Sequence, residues 1–337
     1  ACHNRVYFDN LFCSCGQPLY YEPEARDMWN AATPCANREA INCNWAAMPD
    51  NMLCRSCAMS EILPALNVGD NQALLARAER AKRWVLANLS NWDWFTDADQ
   101  GSRPAFRMLS EDTGIGRAQQ IMMGHDNGEI TINITEADER IRVQRQHQMG
   151  EQYRSMVGHF RHEIGHYYFY RLIGTSPDYL ARFNELFGDP NLDYQAALDR
   201  HYSEGVPPGW EDDYVSSYAT MHPAEDWAET FAHYLHIRDT LDTGAAFGLA
   251  PATATFDRRV LGPSGFDTII EMWLPLAWSL NMVNRSMGKD DLYPFVLPPK
   301  VLEKMRFIHT VIDEITSDPA KLAEVGAPVD GQTQQLD

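Results

Sequence analysis

All seven cysteines of this chain fall within its first 57 residues, at Cys2, Cys13, Cys15, Cys35, Cys43, Cys54 and Cys57. No other feature restricts the fold as much. The surrounding stretch is rich in Asn, Pro and Trp with little helical periodicity, so without a staple such as a metal it has too small a core. An odd count, CxC and CxxC spacings and the lack of a leader pattern favour thiolate metal ligands in a reducing, cytoplasmic setting over disulfides. Cys35, Cys43, Cys54 and Cys57 make a full set of four for tetrahedral zinc, with Cys54-x-x-Cys57 as a half-site. Cys2, Cys13 and Cys15 are only three. His3 is available as a fourth ligand for a second structural zinc, and an empty or degraded site is the alternative.

The composition changes after this module. From Asn71, "NQALLARAERAKRWVLANL" places Leu74, Leu75, Ala78, Ala81, Trp84 and Val85 on one helical face. We therefore expect a Cys-rich module over residues 1–65 and a second domain over 66–337. Asn127-Gly128 marks a hairpin turn, and Ile130, Ile132 and Ile134 alternate after it as a strand with one buried face. That strand is a candidate to accept a peptide backbone by strand addition. Helices are expected from about Tyr153 to a stop at Gly174, from Ser176-Pro177, and from Pro223. "FDTIIEMWLPLAWSLNMV" reads as a buried helix interrupted at Pro275, and "PPKVLEKMRFIHTVIDEI" as a closing amphipathic one. The second domain is thus mainly helical with a small β-sheet, an α+β arrangement.

A formal net charge of −19, from 47 acidic and 28 basic residues, repels a phosphate backbone. Residues 1–60 hold four arginines and no lysine, so the Cys-rich module has no basic face for nucleic acid. Docking a protein partner or covering a cleft suits it better. No apolar run is long enough to cross a bilayer, so a membrane is not an expected partner.

The chemistry concentrates in residues 159–170, "HFRHEIGHYYFY". On a helix, His162 and His166 lie one turn apart on nearly the same face and can offer both imidazoles to one ion. Glu163 is then placed to reach a metal-held water as general base without coordinating. HExxH alone has known false positives, and a catalytic zinc needs a third protein ligand. Phe169 and Leu172 occupy the positions that HExxHxxGxxH requires as Gly and His, which excludes that arrangement. A later helix offers Glu225 and Glu229 one turn apart, the first as ligand and the second to hydrogen-bond a ligating histidine. The reverse assignment is less favoured. His159, His201, His222, His233 and His236 are expected in structural or supporting places, with His222 at a helix start.

HExxH followed by ExxxE on a later helix resembles the gluzincin branch of zinc peptidases. That resemblance implies a zincin-like helical catalytic domain and, seven residues before the ligand glutamate, a tyrosine that helps stabilise the oxyanion. Tyr218 stands there, with Tyr214 a weaker substitute. More of the chain, including "CNWAAMPDNMLCRSC", "FGDPNLDYQAALDRHY" and "HPAEDWAETFAHYLHIRDTLDT", resembles bacterial zinc-binding metallopeptidases that carry an N-terminal zinc ribbon. This implies hydrolysis of peptide bonds in a peptide or protein substrate, with one catalytic zinc and one or two structural zincs. The competing reading is a non-enzymatic protein-binding module with a relict metal site. Hydrolysis of a non-peptide amide would use the same residues.

Overall fold

A computed structural model describes residues 2–114, 120–174, 176–254 and 265–318. The chain is about 52% helical with small sheets, and its N-terminal part carries a cysteine cluster. It divides into two compact units, residues 1–145 with 155–160, and residues 146–154 with 161–337.

The first unit opens with an antiparallel hairpin of β1 (Tyr20–Glu22) and β2 (Asp27–Trp29), followed by two one-turn helices, α1 (Arg38–Ile41) and α2 (Arg55–Ala58). These short pieces carry few apolar residues, and the cysteines lie among them. Next come β3 (Ser60–Ile62) and α3 (Asn71–Leu89). The expected apolar face of α3 is inward at Leu74, Leu75, Ala78, Ala81 and Val85. Lys82 is also buried, beside Glu79 at 2.9 Å and over the ring of Phe106.

A four-stranded sheet runs β3–β4–β6–β5, with β4 (Ala105–Leu109), β5 (Gly124–Asp126) and β6 (Glu129–Asn133). β4 pairs parallel with β6, setting Phe106 beside Ile130 and Met108 beside Ile132, all fully buried. Asn127 and Gly128 both take positive φ, 46° and 86°, as a tight two-residue hairpin turn requires. The strand-addition expectation for Ile130–Ile134 is corrected over the first part of the strand. Over Glu129–Thr131 β6 is hydrogen-bonded on both sides, by β4 and β5, so its backbone has no free edge to offer there, while β5 does not reach Ile132 and Asn133. Ile134 already belongs to a 3₁₀ turn. After that turn comes α4 (Glu139–Met149), which buries no residue and so leaves no periodic trace in the sequence.

α5 (Met156–Tyr168) follows and continues as a π-helix over Phe169–Ile173. Gly174 ends it, but with a helical φ of −63° rather than a left-handed one. A Cβ at Gly174 would meet the Tyr170 carbonyl oxygen at 3.1 Å, so the glycine serves the close approach of the widened turn. α6 (Pro177–Leu186) is capped by Ser176 Oγ, and α7 (Tyr194–Glu204) by the Asp193 carboxylate. α8 (Pro223–Ala246) starts at His222, whose ring nitrogen accepts from the Ala224 N–H, with Pro223 in the first turn. Trp227 and Phe231 on α8 are fully buried and anchor the core of the second unit.

α9 (Phe266–Ser286) corrects a second expectation. It is continuous through Pro275, and only one face packs, through Phe266, Ile269, Trp273, Leu276 and Ala277. Leu274 and Trp278 are exposed. A proline inside a helix costs about 3 kcal/mol, which buried turns on both sides offset. Exposed Leu274 and Trp278 share the solvent face with Asp267, Glu271 and Ser279, so an apolar count of the stretch does not reveal that half is solvated. α10 (Pro299–Thr316) closes the fold as an amphipathic helix. No helix among the described residues is long and apolar enough to cross a membrane.

Candidate metal centre

Four buried thiols meet in the first unit. Cys35, Cys43, Cys54 and Cys57 offer sulfurs that all lie within 4.8 Å of one another. Cys43 Sγ is 3.6 Å from Cys54 Sγ and 3.8 Å from Cys57 Sγ. A tetrahedral zinc with Zn–S of about 2.3 Å separates its sulfurs by about 3.8 Å, whereas a disulfide needs about 2.05 Å. Backbone amides support the thiolates: Cys54 N–H donates to Cys35 Sγ and Cys57 N–H to Cys54 Sγ. Donation from the Cys43, Cys54 and Cys57 thiols pulls the Cys35 thiol far below its ordinary range. The donor set therefore fits a structural zinc. Cys2, Cys13 and Cys15 form a second group, with Cys2 and Cys13 sulfurs 3.5 Å apart. The Cys15 backbone N–H, then the Cys15 and Cys2 thiols, draw Cys13 down to about 6. His3 stands outside this group of three.

The second unit holds a different donor set, built from two helices at close quarters. At Gly165 of α5 an added Cβ would lie 3.2 Å from Ala228 Cα of α8, and the Trp227 indole donates to the Gly165 carbonyl at 2.9 Å. One turn to either side of this contact, the helices turn polar groups toward each other. His162 Nε2 is 3.1 Å from His166 Nε2, and Glu225 Oε2 is 3.0 Å from the first and 3.4 Å from the second. Tetrahedral zinc with ligands at about 2.0–2.2 Å gives edges of about 3.3–3.6 Å. The triangle is thus close to one face of that tetrahedron, leaving the fourth corner to a water.

The proton positions agree with a metal. Glu229 Oε1 lies 2.7 Å from His162 Nδ1, which places the ring proton there and leaves the Nε2 lone pair for an ion. Glu225 Oε2 is buried and receives no hydrogen bond. Its other oxygen accepts from the Tyr194 hydroxyl at 2.9 Å, and Ser216 Oγ donates to Glu229 Oε2 at 2.6 Å. Burial opposes a charged His162, but Glu225 and Glu229 outweigh it and hold the imidazole well above its ordinary pKa. Burial likewise raises Glu225, and His166 and His162 more than reverse that. The two shifts are one pairing seen from its two ends: Glu225 and Glu229 favour positive charge at His162, a place that a divalent cation takes with the imidazole neutral.

Glu163, next to His162 on α5, is buried. Tyr218 lies with its ring 6.1 Å from that of His162. Its hydroxyl is hydrogen-bonded to Tyr194, and burial, then the Glu225 charge, keeps it protonated. Tyr214 goes elsewhere, to Lys304, whose Nζ sits 4.3 Å from its ring centre. The other histidines have separate partners: His159 with Glu136, His222 with the Leu192 carbonyl, His233 with Tyr293 and His236 with Arg161. The His201 ring is 6.2 Å from Tyr218. Three supporting residues escaped the sequence reading. Tyr194 and Ser216 are remote in sequence and mark no motif. Asp226 looks like a helix-start charge but forms a buried pair with Lys304 at 2.5 Å.

Curated relatives share this architecture at the level of sequence. An uncharacterized protein of Mycobacterium bovis and two of Mycobacterium tuberculosis strains are each 54% identical over 328 residues, covering 94% of this chain and 95% of theirs. No solved structure gives a significant match. Residues 71–311 match the family model described as "Putative zinc-binding metallo-peptidase", and the chain belongs to that family.

Proposed function

We propose that the chain is a zinc-dependent peptidase of gluzincin type, with His162, His166 and Glu225 as ligands of the catalytic ion. The observation that carries this reading is the triangle of two imidazole nitrogens and one carboxylate oxygen beside buried Glu163. Zinc, when bound, supplies a Lewis acid and a water whose pKa falls to about 7. Glu163 takes the water's proton and delivers it to the leaving amine. Glu229 holds His162 in one tautomer and orientation. The Tyr218 hydroxyl, protonated at neutral pH, donates to the carbonyl oxygen as charge builds there. Tyr194, bonded to both Tyr218 and Glu225, sets where that hydroxyl rests.

In the same reading residues 1–65 are a zinc-ribbon module, with Cys35, Cys43, Cys54 and Cys57 on one structural zinc and Cys2, Cys13 and Cys15 on a second. Residues 66–337 form the catalytic domain. Substrates are peptides or proteins, and the Cys-rich module docks a protein partner. The test is digestion of a peptide library by wild type beside Glu163→Gln. Cleavage that a chelator stops and that falls at least 100-fold in the variant, with zinc retained, supports the enzyme. No cleavage, with the His162–His166–Glu225 site unable to take up zinc, overturns it.

A further inference from the structure

Beyond the metal site, α8 runs on into a cavity in the second unit with a volume of about 240 Å³. Its walls are Tyr153, Trp273, Tyr293 and Phe295, with His236 and Ala277 among the remaining lining. The rings stand nearly at right angles to their neighbours: Trp273 to Tyr293 at 90°, Tyr153 to His236 at 87°. Faces and edges therefore both point at whatever enters, the arrangement in which an aromatic guest finds T-shaped partners.

The walls are held in place before any guest arrives. Asn281 of α9 grips the Tyr293 backbone twice, donating to its carbonyl at 2.8 Å and accepting from its N–H at 3.0 Å. The Tyr293 hydroxyl is 2.9 Å from His233 Nδ1 on α8. Leu292 beside it is half exposed, so the cavity opens to solvent there. Polar groups remain to recognise a guest, the Thr240 hydroxyl and the His236 ring among them. His236 Nδ1 pairs with the Arg161 guanidinium, which can only donate. The ring proton therefore sits on Nε2, and no described residue is recorded accepting it.

Size and charge narrow the class of guest. Pockets for drug-sized ligands begin at about 300 Å³, while a dry cavity of about 150 Å³ already holds benzene. The space fits one large side chain and its amide. A cationic guest is disfavoured, because no carboxylate stands among the lining residues to replace the water it would lose. Position adds the last constraint. His236 is eleven residues past Glu225 on α8, about 16 Å along the axis, and Arg161 directly precedes His162. An extended peptide covers that distance in about five residues.

We propose that this cavity binds an aromatic or branched aliphatic side chain of a peptide, with a peptide carbonyl on His236 Nε2. Resting on the peptidase reading, it is a specificity subsite about five residues from the cleaved bond. The test uses the full chain and two probes, N-acetyl-L-phenylalaninamide and N-acetyl-L-lysinamide, titrated by NMR. The phenylalanine probe saturates, and the lysine probe binds at least tenfold more weakly. Ala277→Trp, which fills the cavity from α9, weakens the phenylalanine probe at least tenfold with zinc content unchanged. Leu280→Trp fills it from a second position and guards against a folding defect in the first. Equal binding to wild type and both filled variants, or equal binding of the two probes, overturns the proposal. A peptide library then shows a preference for aromatic or Leu residues at one position, abolished in the filled variants. Probe binding as described with no cleavage of any peptide overturns the peptidase reading and leaves the binding site standing.

Discussion

At the scale of single residues, the proposed metal site depends on groups outside its triangle of donors. Glu229 fixes His162 through Nδ1, and Ser216 fixes Glu229. Glu229→Ala should therefore lower zinc affinity at this site by about 10–100-fold, read by competition with a chromogenic chelator, while the cysteine-held zinc is unaffected. Glu229→Gln, which still accepts a hydrogen bond, should recover part of the loss. His233 carries a pH dependence. Burial, against Glu229 and with help from Arg161 and His162, lowers it to about 4. Unfolded, it titrates near 6.5, so the unfolded chain binds the extra proton between these values and native stability rises with pH there. The contribution is fully present above about pH 6.5 and is lost as pH drops through about 4, roughly 3 kcal/mol in all. Urea unfolding at pH 7.0, 5.5 and 4.5 should show the stability gap between wild type and His233→Gln shrinking over that range. A gap independent of pH would exclude the assignment.

At the scale of elements, the metal triangle exists because α5 and α8 come unusually close. Gly165 is the residue that permits it: a Cβ there meets Ala228 backbone atoms at 3.2 and 3.3 Å and the Phe231 ring at 3.3 Å. Gly165→Ala should cost about 1–3 kcal/mol in thermal or urea unfolding and also weaken zinc binding, because the helices must part and carry His162 and His166 from Glu225. If stability falls while zinc affinity holds, the triangle is set by loops instead. How far elements can be read from sequence depends on what encodes them. α3 and α10 show their buried stripes directly, and the Asn127-Gly128 turn needs positive φ that these residues supply. α4 has no buried face to leave a pattern. α9 leaves Leu274 and Trp278 on its solvent face beside Asp267 and Glu271, which makes the whole stretch look buried. The position of β6 inside the sheet depends on strands far away in sequence, which no local pattern records.

At the scale of the whole molecule, the two donor sets should answer differently to loss of metal. The cysteine module has few apolar side chains of its own, so its order depends on four thiol sulfurs that all lie within 4.8 Å of one another. The helical site sits on a core that includes Trp227 and Phe231 and stands without the ion. Chelation at neutral pH should therefore abolish hydrogen-exchange protection over residues 35–57 while protection across α8 persists. Loss of both together would mean that one cooperative core spans them. The site residues themselves were legible because helix geometry turns a spacing of four into a shared face, as at His162/His166 and Glu225/Glu229. Tyr194 and Ser216 reach the site only through the path of the chain, and no spacing announces them. Glu225, Glu229, His233, His236 and Thr240 recur at steps of three and four along α8, within about 80° of one another. This single face serves the metal triangle at one end and the aromatic cavity at the other. A one-residue insertion between Glu229 and His236 would swing everything beyond it by about 100°, parting the two ends while each stayed intact. In evolutionary terms α8 is a ruler: residues off this face can be exchanged, but the spacing along it cannot, and homologues that differ in length should place their gaps outside it.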